Sequence, residues 1–522
     1  MSESSTTRAG VVVSVIFTTS AVLGFVREIV MAAYFGASAE MDALLVALII
    51  PNFFLHMLGE ASMGAAVVPI FIAFVMPLAS KEQRRIVGSA FTLIALVLTA
   101  VAAAGVIFAP QLASVLAPGF SGDQLQLTAG LIRLLTPTIL VLGFSNFAVG
   151  ILHSLKHFGP ASATGVVFNL AVVLVTIPLA NSVGILAPAI GVFVGCVLQF
   201  VILLPTLIGT GLFPSVGVSF RDDALVRMWG LFWPLFVGGL IVTALDTVDK
   251  IVGSYLPEGS ISALAYATKI AGGPSRIFAM AISVVLFPAM AKSAAEKSQS
   301  RGDVIVKGVN LAAFLTLPWT ALLIALSTPV VYLVLQRGAF DAAATTLVAI
   351  PLMVYCLGDF ADGISTMVNN AYYAHHDSKR PTYIYVTTNV IRAVAVLSLV
   401  PLVGYIGIAL AQVIAVDLAI MWLLFGLRRH VPNLDLKGLA AGFGKITIAA
   451  VACGVAAWAI FDALSAFAEG SQVRTVVALG TATIPALAVY FVAASLLRCR
   501  EAAEVKLRFV ELASRRLRPR KL

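Results

Sequence analysis

Long apolar segments separated by short polar breaks run through almost the whole chain of 522 residues. A helix of about 20 apolar residues spans a hydrocarbon core roughly 30 Å thick, whereas membrane strands are about 10 residues long and alternate in polarity. The pattern therefore predicts an all-α polytopic membrane protein with fourteen transmembrane helices. Breaks at Pro, Gly and charged residues place them at 10–34, 40–76, 86–109, 124–152, 160–181, 184–208, 226–255, 260–291, 305–327, 342–373, 381–402, 404–427, 440–462 and 473–497.

Two of the longest segments carry residues that disturb a helix. Pro51 lies in the second segment and the sequence GGP at 272–274 in the eighth. Proline removes a backbone donor and clashes with the preceding turn. We therefore expect bends at both places.

Lys and Arg are concentrated on one side of the predicted membrane. With the loops taken alternately from the inside, 25 of the 34 basic residues fall in one set with both termini, and the other set holds only Arg337 and Arg474. Cytoplasmic loops carry the excess of Lys and Arg. Both termini are therefore predicted to be cytoplasmic, and the first apolar segment, which no small-x-small cleavage site follows, to be retained. The net charge of +9 is mostly this bias, so we expect contact with anionic membrane lipids and no nucleic-acid binding.

A weak internal repeat divides the chain. VREIVMAAYF at 26–35 aligns with VDKIVGSYLP at 248–257 at an offset of 222, and Asn169 aligns with Asn389 at an offset of 220. A unit of six helices makes the two copies parallel in the membrane, a layout typical of transporters. The predicted organisation is an N-lobe at 1–208, a C-lobe at 209–430, two added helices at 431–498 and a basic cytoplasmic tail at 499–522.

Several charges lie inside the apolar segments, where a charge is costly. Repeat symmetry brings the first helices of each repeat together, and we expect a wet central cavity lined by cations that bind an anionic substrate such as phosphate or pyrophosphate. The alternative is that these charges form salt bridges between helices. Sequence neighbours do not face each other on a helix, so we expect Arg27 and Glu28 each to find another partner. The expected substrate-binding residues are Arg27, Glu28, Asp42, Lys250, Lys269 and Arg276, with Ser20, Asn52, His56, Glu60, Asp246 and Asp249 supporting the cavity or its gating.

Signatures of soluble enzymes are missing from the sequence. It has no Walker loop, no HExxH motif and no plausible catalytic triad, and its outer loops are too short to offer a catalytic carboxylate. The sequence AHHDSK at 374–379 is not expected to bind a metal, and the four cysteines show no pairing pattern. We therefore predict a transporter without cofactors or metals.

Five stretches of the chain form a characteristic series, in this order: LGFVREIVMAAYFGASAEMDALLVALIIPNFF at 23–54, LAPGF at 116–120, LPEGSISALAYATK at 256–269, LQRGAFD at 335–341 and YYAHHDSKRP at 372–381. Together they resemble the MurJ (MviN) family of bacterial lipid II flippases in the MOP superfamily.

This resemblance implies a function and a location. A family member flips the undecaprenyl-pyrophosphate-linked peptidoglycan precursor lipid II across the bacterial inner membrane by alternating access, without ATP. The membrane potential or a Na⁺ or H⁺ gradient would supply the driving force. The helices at 431–498 would form a groove for the lipid tail, and the partners would include cell-wall synthesis proteins.

The family's functional residues match only in part. Arg27, Glu28, Asp42 and Glu60 are present, Asp249 and Lys250 match an Asp-Arg pair, and Lys269 keeps a cation where the family has arginine. Departures are Ala21, Leu55 and His56, which replace arginines, and Thr268, which replaces a carboxylate. A less basic cavity leaves open a flippase for another polyprenyl-linked oligosaccharide, of exopolysaccharide or O-antigen type. A MATE-like exporter and a non-transporting scaffold are further alternatives.

Overall fold

The computed structural model describes residues 3–58, 68–69, 71–76, 80–212, 223–295, 301–468 and 470–503. The regular secondary structure in these ranges is helical throughout, which confirms the predicted all-α fold. Two compact units divide the chain, Met1–Ser262 with Arg337–Asp341 and Ala263–Gln336 with Ala342–Leu522. This spatial division adds residues 209–212, 223–262 and 337–341 to the first unit, whereas the predicted lobe boundaries follow the repeat and stay a prediction.

The first unit is built from eleven complete helices in its described residues. They are α1 Glu3–Phe35, α2 Ala39–Ala47, α3 Ile49–Leu58, α4 Ser80–Ile107, α5 Ala109–Leu116, α6 Gly122–Leu135, α7 Thr138–Ser154, α8 Phe158–Val183, α9 Leu186–Val201, α10 Leu204–Gly209 and α11 Asp223–Gly253, with a π-helical turn at Phe71–Val75.

Helix α12, Ser260–Ala295, begins in the first unit and continues in the second. The second unit also holds α13 Arg301–Ala325, α14 Ser327–Leu335, α15 Ala342–Ala374, α16 Lys379–Val403, α17 Ile406–Leu427, α18 Leu436–Ala463, α19 Ser465–Ala468 and α20 Gln472–Leu496.

Eleven helical stretches of the described chain are long and apolar enough to cross a membrane, and each coincides with a predicted segment. The three other predicted segments fall on α2 with α3, on α11 and on α12. The structure is therefore consistent with fourteen crossings, and the chain is a multi-pass membrane protein.

The two predicted bends have different outcomes. The second segment is interrupted at Leu48, where α2 ends and α3 begins. Pro51 has no N–H to donate to the carbonyl of Ala47 four residues earlier, which accounts for the end of α2. At GGP, 272–274, α12 is one continuous helix, and a bend there stays a prediction.

Backbone conformation supports the predicted repeat. Lys156 and His376 are non-glycine residues with positive φ, at 63° and 58°, and they stand 220 positions apart. Gly184 and Gly404, also 220 apart, end α8 and α16 with φ of 57° and 62°. The same turns thus follow the same helices in both copies.

Each unit has its own apolar core. In the first unit Phe91 and Phe147 pack edge to face at 5.0 Å between ring centroids. In the second unit the Tyr490 hydroxyl donates to the carbonyl of Phe314 at 2.7 Å, so α20 packs into the same core as α13. The four cysteines are buried and free, as expected from their spacing.

Candidate functional site

Arg27 lies in the apolar stretch of α1 and has two polar partners in the first unit. Its Nη2 donates to Glu28 Oε1 at 2.6 Å, and its Nη1 donates to Asn169 Oδ1 at 3.1 Å. The guanidinium also lies 5.8 Å from the centre of the Phe168 ring. The side chains of Arg27 and Glu28 are 24% and 14% exposed, so the pair is mostly removed from the surface.

The expectation that Arg27 and Glu28 would not pair was wrong. The rule that neighbours diverge on a helix describes the directions of their Cβ atoms. An arginine side chain is long enough to turn back toward the next residue, and in an apolar segment an unpaired charge costs more than the bend. The expectation of another partner was correct for Arg27, whose second partner is Asn169.

Small residues bring α1 and α8 together around this group. A Cβ on Gly165 would lie 2.5 Å from Ser20 Oγ, and a Cβ on Gly24 would lie 3.6 Å from Asn169 Nδ2. Asn169 Nδ2 donates to the Ser20 carbonyl at 3.2 Å and to the Gly165 carbonyl at 3.0 Å. Ser20, predicted to support the cavity, therefore contributes its backbone here.

Asn169 and Phe168 are the site residues that sequence reasoning missed. Asn169 was noticed only as a marker of the repeat. An asparagine inside an apolar segment is itself a signal, since a buried amide needs hydrogen-bond partners. A search for polar residues as well as charges would have found it.

The arrangement leaves Arg27 able to bind an anion. A guanidinium has five N–H donors in a planar fork. Two of them bond to described residues of the chain, Asn169 and Glu28, and three have no hydrogen bond to any described residue. Two oxygens of a phosphate or pyrophosphate group can accept from such donors in a bidentate manner.

The carboxylate of Asp42, at the start of α2, accepts hydrogen bonds from two backbone N–H groups. Its Oδ2 accepts from the Gly259 N–H at 2.8 Å and its Oδ1 from the Ser262 N–H at 2.7 Å. The side chain is only 2% exposed. In this conformation Asp42 caps the first turn of α12, and its predicted contact with substrate stays a prediction.

Lys250, near the end of α11, also binds backbone. Its Nζ donates to the Leu45 carbonyl at 3.0 Å, in the last turn of α2. A cation at a helix C-terminus satisfies a carbonyl that has lost its partner in the helix. Hydrogen bonds at both ends of α2 thus join this helix to residues 250–262. The Asp42 carboxylate makes those in its first turn, and Lys250 donates the one in its last turn.

The remaining predicted residues are not brought into this site by any described contact. Lys269 lies in the second unit and is exposed, and Asn52 and Asp246 are exposed in the first. Asp249 is partly buried. The side chains of His56 and Arg276, and all of Glu60, lie outside the described residues. The predicted clustering of four cations therefore stays a prediction.

The second unit contains a related pair. Asn389 Nδ2 donates to the carbonyl four residues earlier, Tyr385, just as Asn169 does to Gly165. Its Oδ1 accepts from Arg392 Nε at 3.2 Å, and Arg392 is 4% exposed. Each repeat thus pairs the equivalent asparagine with an arginine. In the first copy the arginine lies on α1, and in the second it lies on the same helix as the asparagine.

A polar cluster joins two loops of the second unit. His430 Nε2 lies 2.8 Å from Asp377 Oδ2, and Arg380 Nε lies 3.4 Å from the same oxygen. Partial burial raises the pKa of Asp377, but hydrogen bonds from His430 and the Arg380 N–H outweigh it and hold that pKa below its usual value. The described residues contain no group of three or more His, Cys, Asp or Glu side chains placed to hold a metal.

Comparison with known proteins gives concordant results. The family model described as "Lipid II flippase MurJ" matches residues 31–478. A probable lipid II flippase MurJ of Treponema pallidum is 27% identical over 491 residues, covering 90% of this chain and 91% of that protein. One of Rhizobium tropici is 28% identical over 497 residues, covering 92% of each.

Solved structures show the same fold. A lipid II flippase MurJ in an inward closed conformation aligns with a TM-score of 0.78 at 24% identity, covering 93% of this chain and 98% of that one. An inward-facing MATE transporter of the MOP superfamily aligns with a TM-score of 0.65 at 12% identity, covering 81% of this chain. Since the family model spans most of the sequence, this chain belongs to the family of the lipid II flippase MurJ.

Proposed function

We propose that this protein moves lipid II across the bacterial inner membrane by alternating access, as a transporter and not as an enzyme. Relatives that it matches over about nine-tenths of their length are named as probable lipid II flippases. The observation that carries the proposal is Arg27, a cation inside an apolar helix with three N–H donors not bonded to the described chain. A pyrophosphate headgroup is the chemistry that such a cation binds.

The physical task is to carry a charged, sugar-bearing headgroup past a hydrocarbon core. A pyrophosphate in lipid without partners is strongly disfavoured. A guanidinium replaces part of its hydration with oriented N–H donors, and Glu28 limits the net charge so that the headgroup is not held too tightly to be released. Transport then needs only two states of the protein, with the cavity open to one side of the membrane in each.

We further propose both termini on the cytoplasmic side, with transport driven by the membrane potential or by a Na⁺ or H⁺ gradient. The charge bias of the loops supports the orientation. Partners would then be lipid II, membrane lipids and proteins of cell-wall synthesis.

A second candidate is a flippase for another polyprenyl-pyrophosphate-linked saccharide. It is favoured by Ala21, Leu55 and His56, which stand where the resembling family has arginines. Ala21 is exposed on α1, so a cation there would have been accessible. Fewer cations suit a headgroup with a different glycan or fewer charges.

Complementation of a bacterium depleted of its lipid II flippase tests the proposal. The wild-type gene should restore growth, and Arg27→Ala should not, at equal protein levels in the membrane. Arg133→Ala is the matched control, because Arg133 is an exposed arginine in an apolar helix away from the site. Failure of the wild type to restore growth would contradict the lipid II assignment, and rescue by Arg27→Ala would contradict the role of Arg27.

A further inference from the structure

Asn169 is placed to fix the direction of the Arg27 guanidinium. Its side chain is 9% exposed and its amide is used at both ends. The oxygen accepts from Arg27 at 3.1 Å, while the nitrogen donates to the carbonyls of Ser20 on α1 and Gly165 on α8. The orientation of the amide is therefore set by two helices before it meets the arginine.

We propose that Asn169 is a positioning residue that presents Arg27 to the pyrophosphate of the transported lipid; this inference rests on the proposed function. A free arginine side chain samples many rotamers, and ordering it costs conformational entropy. Asn169, Glu28 and the Phe168 ring hold the guanidinium in one place, so this cost is met before the lipid binds. The N–H groups that remain are then oriented in advance.

A neutral oxygen is the appropriate acceptor at this position. Glu28 already balances the charge of Arg27. A carboxylate at position 169 would leave the group with a net negative charge, which repels an anionic headgroup. An amide holds the guanidinium without adding a negative charge, so the residue type at 169 bears on the charge of the ligand.

A double-mutant cycle on the purified full-length protein tests this role. Equilibrium binding of lipid II is measured for wild type, Arg27→Gln, Asn169→Leu and the double variant. Leu has a branched side chain like that of Asn, although it is larger, and it removes the acceptor. We expect Arg27→Gln and Asn169→Leu each to weaken binding about tenfold, and the double variant to bind no more weakly than Arg27→Gln. Non-additivity of this kind is the sign of two residues that act as one group.

Asn169→Asp covers the case in which Asn169→Leu fails to fold, since it keeps the size and the oxygen facing Arg27. We expect it to weaken lipid II binding at least as much as Asn169→Leu. Undecaprenol, which has the same tail and no pyrophosphate, is the second probe, and its affinity should not change in either variant. A residue that only supports the helix packing would lower the affinity for both lipids.

Asn389→Leu is the matched control. Asn389 makes the same bond to its own helix but pairs with Arg392. In that background Arg27→Gln should still cause its full loss of affinity. Additive effects of Arg27→Gln and Asn169→Leu, or unchanged binding in Asn169→Asp, would overturn the inference. If Arg27→Gln itself left lipid II binding unchanged, the anion site of the proposed function would be wrong instead.

Discussion

Arg27 shows how a charge is tolerated inside an apolar helix. On insertion scales an arginine at the centre of a helix costs about 2.5–3.5 kcal/mol. Its bonds to Glu28 at 2.6 Å and Asn169 at 3.1 Å offset part of that cost. The position of Arg27 in an apolar segment makes it a candidate site residue, but it does not indicate its partner on α8. A hydropathy profile identifies which segments are helices, but it does not show which faces of two helices contact each other.

At the residue scale, a substitution of Asp42 tests whether its hydrogen bonds to the backbone of 259–262 stabilise the protein. Asp42→Asn replaces one of two acceptors facing backbone N–H groups by a donor, so that one buried N–H loses its bond. Such a loss costs about 1–3 kcal/mol. We expect the apparent melting temperature of the purified protein to fall by several degrees.

Glu40→Gln is the control for this change. Glu40 lies two residues earlier in the same helix and is exposed, so the same chemical change should alter the melting temperature little. Equal melting temperatures for the two variants would show that Asp42 does not clamp the backbone.

At the scale of elements, the turns that join helices carry strict steric demands. Gly338, in the motif LQRGAF, has φ of +60°, and a Cβ there would collide with the carbonyl of Ala33 at the end of α1. The next N–H, of Ala339, donates to the same carbonyl at 2.8 Å. Gly259 has φ of +83°, and a Cβ there would likewise lie 2.5 Å from the carbonyl oxygen of Ala37.

Gly338→Ala should therefore destabilise the protein. The left-handed conformation alone costs a non-glycine residue roughly 1–2 kcal/mol, and the collision adds to it because the neighbour is backbone. Gly130→Ala is the matched control, since Gly130 lies within α6 with nothing near its missing Cβ. We expect a lower apparent melting temperature for Gly338→Ala and no decrease for Gly130→Ala. The reverse order would show that the 337–341 segment does not pack against α1 as described.

Elements were more predictable than their contacts. Apolar runs and their polar breaks located the helices, because length and hydropathy are local properties of the chain. Pro51 likewise predicted the break at Leu48. The capping of α12 by Asp42 and the bond from Lys250 to Leu45 join residues more than 200 positions apart. No local pattern contains such pairs, so the backbone partners of Asp42 could not be predicted from the sequence.

At the scale of the whole molecule, the repeat is the property that sequence and backbone report together. The offset of 220 that aligns Asn169 with Asn389 also relates the left-handed residues Lys156 and His376. The repeat does not require identical chemistry in both copies. Asn169 binds an arginine from another helix, whereas Asn389 binds Arg392 on its own helix. One inherited amide position thus serves two different arginines.

Orientation in the membrane is the remaining property of the whole molecule, and thiol labelling measures it. The four native cysteines are buried and should react slowly, which leaves a low background. Arg474, in the first turn of α20, and Ser378, just before α16, are both exposed, and the charge bias assigns them to opposite sides. In right-side-out membrane vesicles a membrane-impermeant maleimide should label Arg474→Cys at once and Ser378→Cys only after permeabilisation. Labelling of both from the outside would mean an even number of crossings between them, against the predicted three.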